Sequence, residues 1–505
     1  MREYPKREGS RRLLASGLAV ISIVLAGCSG ARGTPITSGL PGASPAKTPI
    51  LCDDNPDHFT PMPADCVVPS MPRVPWTPSP SKTPWPKSSS VLPKLAAWHG
   101  SEIVRLEPGS QAHVVGVQPD GSIAVLEYGN TGDRFLGALV AIRPDGKPKP
   151  GWPIAGVPVP VGYGNDVMAK DGTVYLSAIT TTTTSDAPTA IEVTAVSPEG
   201  TAVPGWPYES PAALHDNNSG QLVVGPSGQA CFMDFLPGRG AQDLNGPSAL
   251  YCLGVDGKLL PGWPYTSNRT MDHPTFGADG TIYVEQYSEK EPGSQEIVAL
   301  GPTGKPVAGW TPWVVPSSMA PIVVAPDGRV YLSVIGMSGD ELVTLAADGT
   351  LVSRSKLAFS ADQYIQQIAT AADGSLCVSS VDAGDAVDSG DLALFGKTAA
   401  HVSCFAGDSS AKPGWPAAVD GPASIFLSHD GSVWMTWQIW GDGGVTDQAM
   451  AVFGPNGKLR SGFPMETPDL GNDVLRGKGL VFDSSGNAYA IMYWRSGYSV
   501  AKILR

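Results

Sequence analysis

Val323-Val324-Ala325-Pro326-Asp327-Gly328-Arg329-Val330-Tyr331-Leu332-Ser333-Val334 joins two short β-type runs through a tight turn. Pro presets φ, Asp bonds its own backbone, and Gly takes the left-handed position. The apolar residues on either side alternate with the period of a strand. The same turn signal, with small variations in its first two residues, recurs at Gly121, Gly172, Gly228, Gly280, Gly328, Gly374, Gly431 and Gly486, at intervals of 51, 56, 52, 48, 46, 57 and 55 residues. A nearly fixed period of this size marks stacked supersecondary units, and a four-stranded propeller blade is the unit that fits.

Working outward from each turn, a second turn follows within most repeats, at Gly146, Gly200, Gly257, Gly304, Gly349 and Gly457, with a distorted version around Gly407-Asp408. Each is preceded by a further β-type run, such as Ile297-Val298-Ala299-Leu300. The unit therefore reads strand A, tight turn, strand B, variable loop, strand C, tight turn, strand D. A third register follows: an aromatic stands six residues after the second glycine, at Trp152, Trp206, Trp263, Trp310 and Phe463. Trp415 belongs to the series with two extra residues, and the fifth repeat lacks its Trp. A once-per-blade aromatic is what packing of the outer strand onto the neighbouring blade requires, in preference to a ring of sugar-stacking platforms.

The composition, 60 Gly and 48 Pro in 505 residues with 16% charged, suits an all-β, loop-rich chain without sustained helical periodicity. The expected fold is an eight-bladed β-propeller over residues 96–505, which grows by adding blades rather than by enlarging one core. Before it, residues 28–95 are rich in Pro, Ser and Thr, and read as an extended, semi-rigid tether. Residues 1–27 place Arg2, Lys6, Arg7, Arg11 and Arg12 ahead of the apolar run Leu13 to Ala26, the order of a secretory signal peptide. That run is too short to serve as a membrane-spanning helix.

Leu25-Ala26-Gly27-Cys28 resembles the bacterial lipobox, which implies that Cys28 becomes the lipid-modified (palmitate-bearing) first residue of a mature lipoprotein. The resemblance implies a cell-membrane location, anchored by lipid on the extracytoplasmic side. Ser10-Arg11-Arg12-Leu13-Leu14 also resembles a twin-arginine export signal, and both that route and the general secretory route stay open.

Seven Cys minus Cys28 leaves six, an even number suited to an oxidising compartment. Cys231 and Cys377 each stand three residues after a first-turn glycine, where other blades carry Tyr175, Tyr283, Tyr331, Trp434 and Tyr489. Cys252 and Cys404 lie in strand C of the same two blades. The expected pairs are Cys231–Cys252, Cys377–Cys404 and, by exclusion, Cys52–Cys66, which closes a small loop within the tether. No Cys-x-x-Cys occurs to suggest metal or redox chemistry.

Closure can be read as well. The eighth repeat has strands A to C and then the chain stops at Arg505, while an orphan run, Glu102-Ile103-Val104-Arg105-Leu106, precedes the first repeat. That run is expected to complete the last blade and so remove an open sheet edge.

The region from about residue 96 to 505 resembles the eight-bladed quinoprotein-like (PQQ-repeat-like) propellers. Gly146-Lys147 to Trp152, Gly257-Lys258 to Trp263 and Gly304-Lys305 to Trp310 are similar to their tryptophan-docking motif, with a longer spacing here. The vicinal Cys pair that quinone dehydrogenases place beside the cofactor is absent, and fold analogy alone supplies no activity. No cofactor is therefore expected, with PQQ and Ca2+ as the alternatives the family brings. The run Asp382, Asp385, Asp388 and Asp391 matches no closed calcium loop and reads as a solvated acidic loop.

Short, uniform A–B and C–D turns share one face of such a ring; long, varied B–C and D–A loops share the other, where recognition is expected. Polar clusters stand just before several innermost strands: Asn165-Asp166, His215-Asp216-Asn217, Asp272-His273 and Asn472-Asp473. These are the candidate ligand-face residues; no catalytic or metal-ligating set is assigned. Gly-x-Ser-x-Gly, His-Glu-x-x-His and phosphate-cradling loops are missing. Removing residues 1–27, with five basic and two acidic residues, takes the formal charge from −13 to −16, which excludes nucleic acid and anionic surfaces as natural partners. Two classes remain: a non-enzymatic binding or assembly module for a cell-envelope protein or glycan, expected to be monomeric, and an enzyme of the quinone oxidoreductase, lyase or hydrolase type. The lipobox reading predicts that Cys28→Ser shifts the protein from the membrane to the soluble fraction; full membrane retention of the variant would contradict it.

Overall fold

The computed structural model describes residues 96, 100–106, 111–130, 135–158, 166–180, 190–211, 221–235, 246–288, 294–315, 321–334, 340–356, 363–371, 373–382, 399–406, 410–441, 444–467, 479–494 and 497–504. The lipobox Cys28 and the Cys52–Cys66 pair lie outside the described residues, as do Asp385, Asp388 and Asp391.

Eight sheets of four antiparallel strands form the ring, as the turn period demands. Blades 1 to 7 run in sequence order from inner strand A to outer strand D, over residues 111–158, 166–209, 222–267, 271–315, 323–356, 363–420 and 423–467. The turns behave as their chemistry requires. Gly121, Gly172, Gly280 and Gly328 have φ between 81° and 91°, and the preceding Asp accepts from the backbone two residues on, as in Thr173 N to Asp171 Oδ1 at 2.9 Å. Strands B and C are the most apolar and the most buried; every residue of Ala230–Phe235 and Ser248–Leu253 is buried. Their side chains do not form one core. They form a series of clusters, each shared by two adjacent blades.

The aromatic series sits in these joints. Trp152, Trp206, Trp263, Trp310 and Trp415 are 5–9% exposed, which leaves no open ring face for a sugar. Three of them donate their indole N–H to the C–D turn of the next blade: Trp152 to Pro198 O at 3.2 Å, Trp206 to Val255 O at 3.1 Å, and Trp263 to Pro302 O at 2.9 Å. The glycine before Trp152, Trp206, Trp263 or Trp415 lets the two backbones touch, whereas a Cβ on Gly309, before Trp310, would meet nothing within 4 Å. A Cβ on Gly205 would lie 2.1 Å from Asp256 O, and one on Gly257 would lie 2.5 Å from Gly205 O. Trp310, in Gly-Trp-Thr, turns its N–H to Ile297 O of its own blade at 2.9 Å instead.

A strand-B aromatic packs on the Trp at the joints after blades 2 and 4, and the disulfides fit the same scheme. Tyr175 meets Trp206 edge-on at 5.3 Å, and Tyr283 meets Trp310 likewise at 5.3 Å. In blades 3 and 6 that position is Cys231 or Cys377. Each is bonded to the residue directly opposite on strand C, Cys252 or Cys404, with Cα atoms 4.1 Å apart. Trp263 and Trp415 share their clusters with these bridges. A cross-strand disulfide thus stands where another blade has a ring.

Blade 8 closes as the orphan run requires. Its order is Ser101–Arg105, Gly497–Ile503, Ala488–Trp494 and Val481–Phe482, so the first strand of the propeller is the outer strand of the last blade. Ile103 O lies 2.8 Å from where a Cβ on Gly146 would be, so this strand also docks on the C–D turn of blade 1 as the Gly-Trp elements do elsewhere. A second tie was not legible in the sequence. Ala96 pairs in parallel with the outer strand of blade 7, donating to Pro464 O at 2.7 Å and accepting from Glu466 N at 3.0 Å.

Both ties predict the same experiment. A chain beginning at Pro93 should unfold like the full chain. One beginning at Gly109 loses both ties, exposes unpaired backbone at the edge of blade 8, and should melt roughly 10 °C or more lower with reduced cooperativity. Equal melting temperatures would contradict this closure.

Candidate functional site at the channel mouth

Strand A of every blade begins at the end where the D–A loops enter, and the inner strands of successive blades touch around the ring. Polar side chains at these starting points therefore share one end of the ring. Of the sequence candidates, Asp166, Asp272 and His273 lie among the described residues; Asn165, His215, Asp216, Asn217, Asn472 and Asp473 lie outside them.

The described candidates fall at two different joints. Between blades 1 and 2, Asp166 Oδ2 lies 2.9 Å from His113 Nε2, both about one-sixth exposed. Between blades 3 and 4, Asp272 Oδ1 accepts from Gln221 Nε2 and from His273 N, both at 2.9 Å, and His273 N also approaches Gln221 Oε1 at 3.3 Å. His273 stands in a register shift of strand A between Asp272 and Thr275, at φ 48°, and is a non-glycine residue in the left-handed region. Its Nδ1 lies 3.6 Å from Glu285 Oε2 on strand B and 3.7 Å from Asp272 Oδ2. Glu285 faces Asp272 directly in the strand register and is buried.

The same end carries ties not foreseen from the sequence. Gln367 spans blades 6 and 7, donating to Ile425 O at 2.9 Å and accepting from Ile425 N at 2.8 Å. Asp340 of blade 5 accepts from Ile365 N of blade 6 at 2.9 Å. It joins blade 6 to the fifth repeat, which lacks its Trp. Gln221, His113, Glu285 and Gln367 carry no sequence motif, for different reasons. Glu285 was visible as a charge at the end of an apolar run, Ile282-Tyr283-Val284, whereas the amides carry no signal until their partners about 50 residues away are placed.

The opposite face is pinned shut by its turns. Lys149 Nζ meets Asp120 Oδ2 at 2.6 Å, Lys412 Nζ meets Asp373 Oδ2 at 3.4 Å, and Arg460 Nη2 meets Asp430 Oδ2 at 3.0 Å; each joins the C–D turn of a blade to its own A–B turn. The Ser375 hydroxyl holds the Asp373 carboxyl below the usual carboxylate range, and the Arg329 guanidinium does the same for Asp327. Burial pushes the Tyr175 phenol up to about 12, so it stays a neutral donor to Gly228 O of the next blade at 3.0 Å. These polar groups serve the ring itself.

Among the described residues no three His, Cys, Asp or Glu side chains are grouped to hold a metal ion, so no calcium site is built from them.

No protein-family model matches the chain, and no curated protein matches it. Solved structures with a similar arrangement include an oligogalacturonate lyase from Vibrio parahaemolyticus, at 11% identity and TM-score 0.39 over 79% of this chain and 92% of that one. Hydrazine synthase of Kuenenia stuttgartiensis matches at 11% identity and TM-score 0.37 over 53% of this chain and 72% of that one. A prolyl endopeptidase matches at 14% identity and TM-score 0.39 over 68% of this chain, which spans only 47% of that enzyme's length. These likenesses are weak, and the blade count rests on the chain's own strand pairing.

The Gln367 bridge yields a prediction. Gln367→Leu removes two bonds to one backbone unit and leaves Ile425 N and O without partners, which should destabilise the fold by about 1–3 kcal/mol in denaturant unfolding. An unchanged midpoint would mean that water or a neighbour replaces the amide.

Proposed function

We propose that this protein is a lipid-anchored, extracytoplasmic propeller that acts as a non-enzymatic binding or assembly module, presenting its loop face and channel mouth to a cell-envelope protein or glycan. The observation that carries the reading is the asymmetry of the two ends. At the turn end, short hairpins are locked by Asp caps and, in blades 1, 6 and 7, by Lys–Asp or Arg–Asp ties between turns. At the other end, partly exposed Asp166 stands at the joint of blades 1 and 2, and Asp272 and His273 at the joint of blades 3 and 4, near the starts of the inner strands. A rigid scaffold with chemistry gathered at one end suits recognition. The signal and lipobox residues place that end outside the cytoplasm in this reading, with residues 28–95 as the spacer.

The test immobilises the full mature protein and exposes it to solubilised envelope material. A component retained by the native chain and lost by the Asp272→Ala/His273→Ala double variant is the expected result. An absorption spectrum taken before and after addition of quinone and Ca2+ should stay unchanged. A stable bound chromophore, or equal retention by the double variant, would contradict the proposal.

A further inference from the structure

The outer strand of blade 5 differs from the others. The fifth repeat lacks its Trp, so the chain runs from Gly349 through Thr350 straight into Leu351–Lys356, with no Gly-aromatic segment in between. At six residues this is the longest outer strand among the described residues. One side pairs throughout with Glu341–Leu345, from Leu345 opposite Leu351 to Glu341 opposite Lys356. The other side is the edge of its sheet, and no further strand or bridge joins it among the described residues. Leu351 is 48% exposed and Val352 55%, and successive side chains of a strand point to opposite faces. An edge of this kind presents a row of N–H and C=O groups as a template for another strand.

Elsewhere the ring already takes up extended chain at its outer edges. Ala96 adds to the outer strand of blade 7 through Pro464 O and Glu466 N, and Ser101–Arg105 completes blade 8. Charge decides what suits the edge of blade 5. In a chain of formal charge −13, Leu351-Val352-Ser353-Arg354-Ser355-Lys356 holds no acid and two basic residues. Arg354 donates from Nε to Glu341 Oε2 on strand C, while its Nη groups bond no described residue and the side chain is 23% exposed. A guanidinium held by Nε keeps its terminal donors for a second carboxylate. Basic residues on an edge also discourage pairing with a second copy of the same edge. We propose that the outer edge of blade 5 is a docking surface for an acidic, extended segment of a partner protein. The segment adds as a fifth strand, sets a carboxylate on the Nη groups of Arg354, and packs an apolar side chain over Val352 on the same face. The inner strand of this blade, Val323–Val324, is the opposite edge of the sheet, so a partner on the rim leaves the channel mouth free and the proposal stands apart from the ligand-face reading.

The full chain is titrated with the peptide acetyl-Glu-Thr-Glu-Thr-Trp-Val-amide, followed by saturation-transfer NMR for affinity and by hydrogen exchange for location. Laid antiparallel on the edge, this peptide sets its second Glu opposite Arg354 and its Trp opposite Val352. The expected result is binding that slows amide exchange within residues 351–356. Replacing both Glu of the peptide by Lys should weaken it about tenfold or more, and so should a Pro in place of the second Glu. Val352→Glu, at an exposed position, should weaken it several-fold; if that variant folds poorly, the three peptides decide the matter on the unaltered chain. No binding, equal binding of the Lys or Pro peptide, or protection confined to another strand would overturn the proposal. Self-association of the full chain that Val352→Glu abolishes would also overturn it, by giving the edge to a second copy.

Discussion

Much of the ring depends on one close approach, the contact of a glycine backbone in one blade with the C–D turn of the next, made after blades 1, 2, 3 and 6. Gly151, Gly205 and Gly262 each bring their Cα within a distance at which a Cβ would overlap a carbonyl oxygen of Glu199, Asp256 or Thr303. The adjoining Trp then fills the joint and, in the first three blades, donates to the same neighbouring turn. This contact needs glycine twice over, since Gly205 and Gly262 also have φ near 90°. Eight joints of modest size, each shared by two blades, replace a single large core. For this reason the disulfides occupy joint positions and the chain's own N-terminal strand is used to seal the last one.

The joints also explain the division of labour between the two ends. The turn end is consumed by docking: its acids, bases and glycines are committed to caps, ties and close approaches. The inner-strand starts are less constrained. There the neighbouring blades are joined by side-chain bonds that vary from joint to joint, such as His113 to Asp166, Gln221 to Asp272 and Gln367 to Ile425. Variation of that kind is compatible with a ring whose stability is secured elsewhere, and it leaves polar groups partly exposed at the inner-strand starts.

What could be read from the sequence follows the same line. Turn glycines, period-two strands, the Trp register, the two cross-strand Cys pairs and the closing strand Ser101–Arg105 were all legible, because each is a local pattern or a defect in a repeat. Contacts between blades were not. Ala96 on blade 7, Asp340 on Ile365 N and Gln221 on Asp272 join segments that no periodicity relates. At the mouth, Asp166, Asp272 and His273 were named from polarity alone, but their grouping into two separate joints, and the buried Glu285 behind His273, needed the register of blade 4.

The central claim is that close backbone approach between blades holds the ring, and two glycines separate that effect from turn strain. Gly257 and Gly374 have nearly equal φ, 72° and 77°, so alanine meets similar backbone strain at both. A Cβ at Gly257 lies 2.5 Å from Gly205 O and 3.3 Å from Trp206 Cδ2, whereas one at Gly374 meets nothing within 4 Å. Thermal unfolding of Gly257→Ala and Gly374→Ala should therefore differ, with the Gly257 variant melting several degrees lower, an excess of about 1–3 kcal/mol over the shared strain. Equal losses at the two positions would contradict the account.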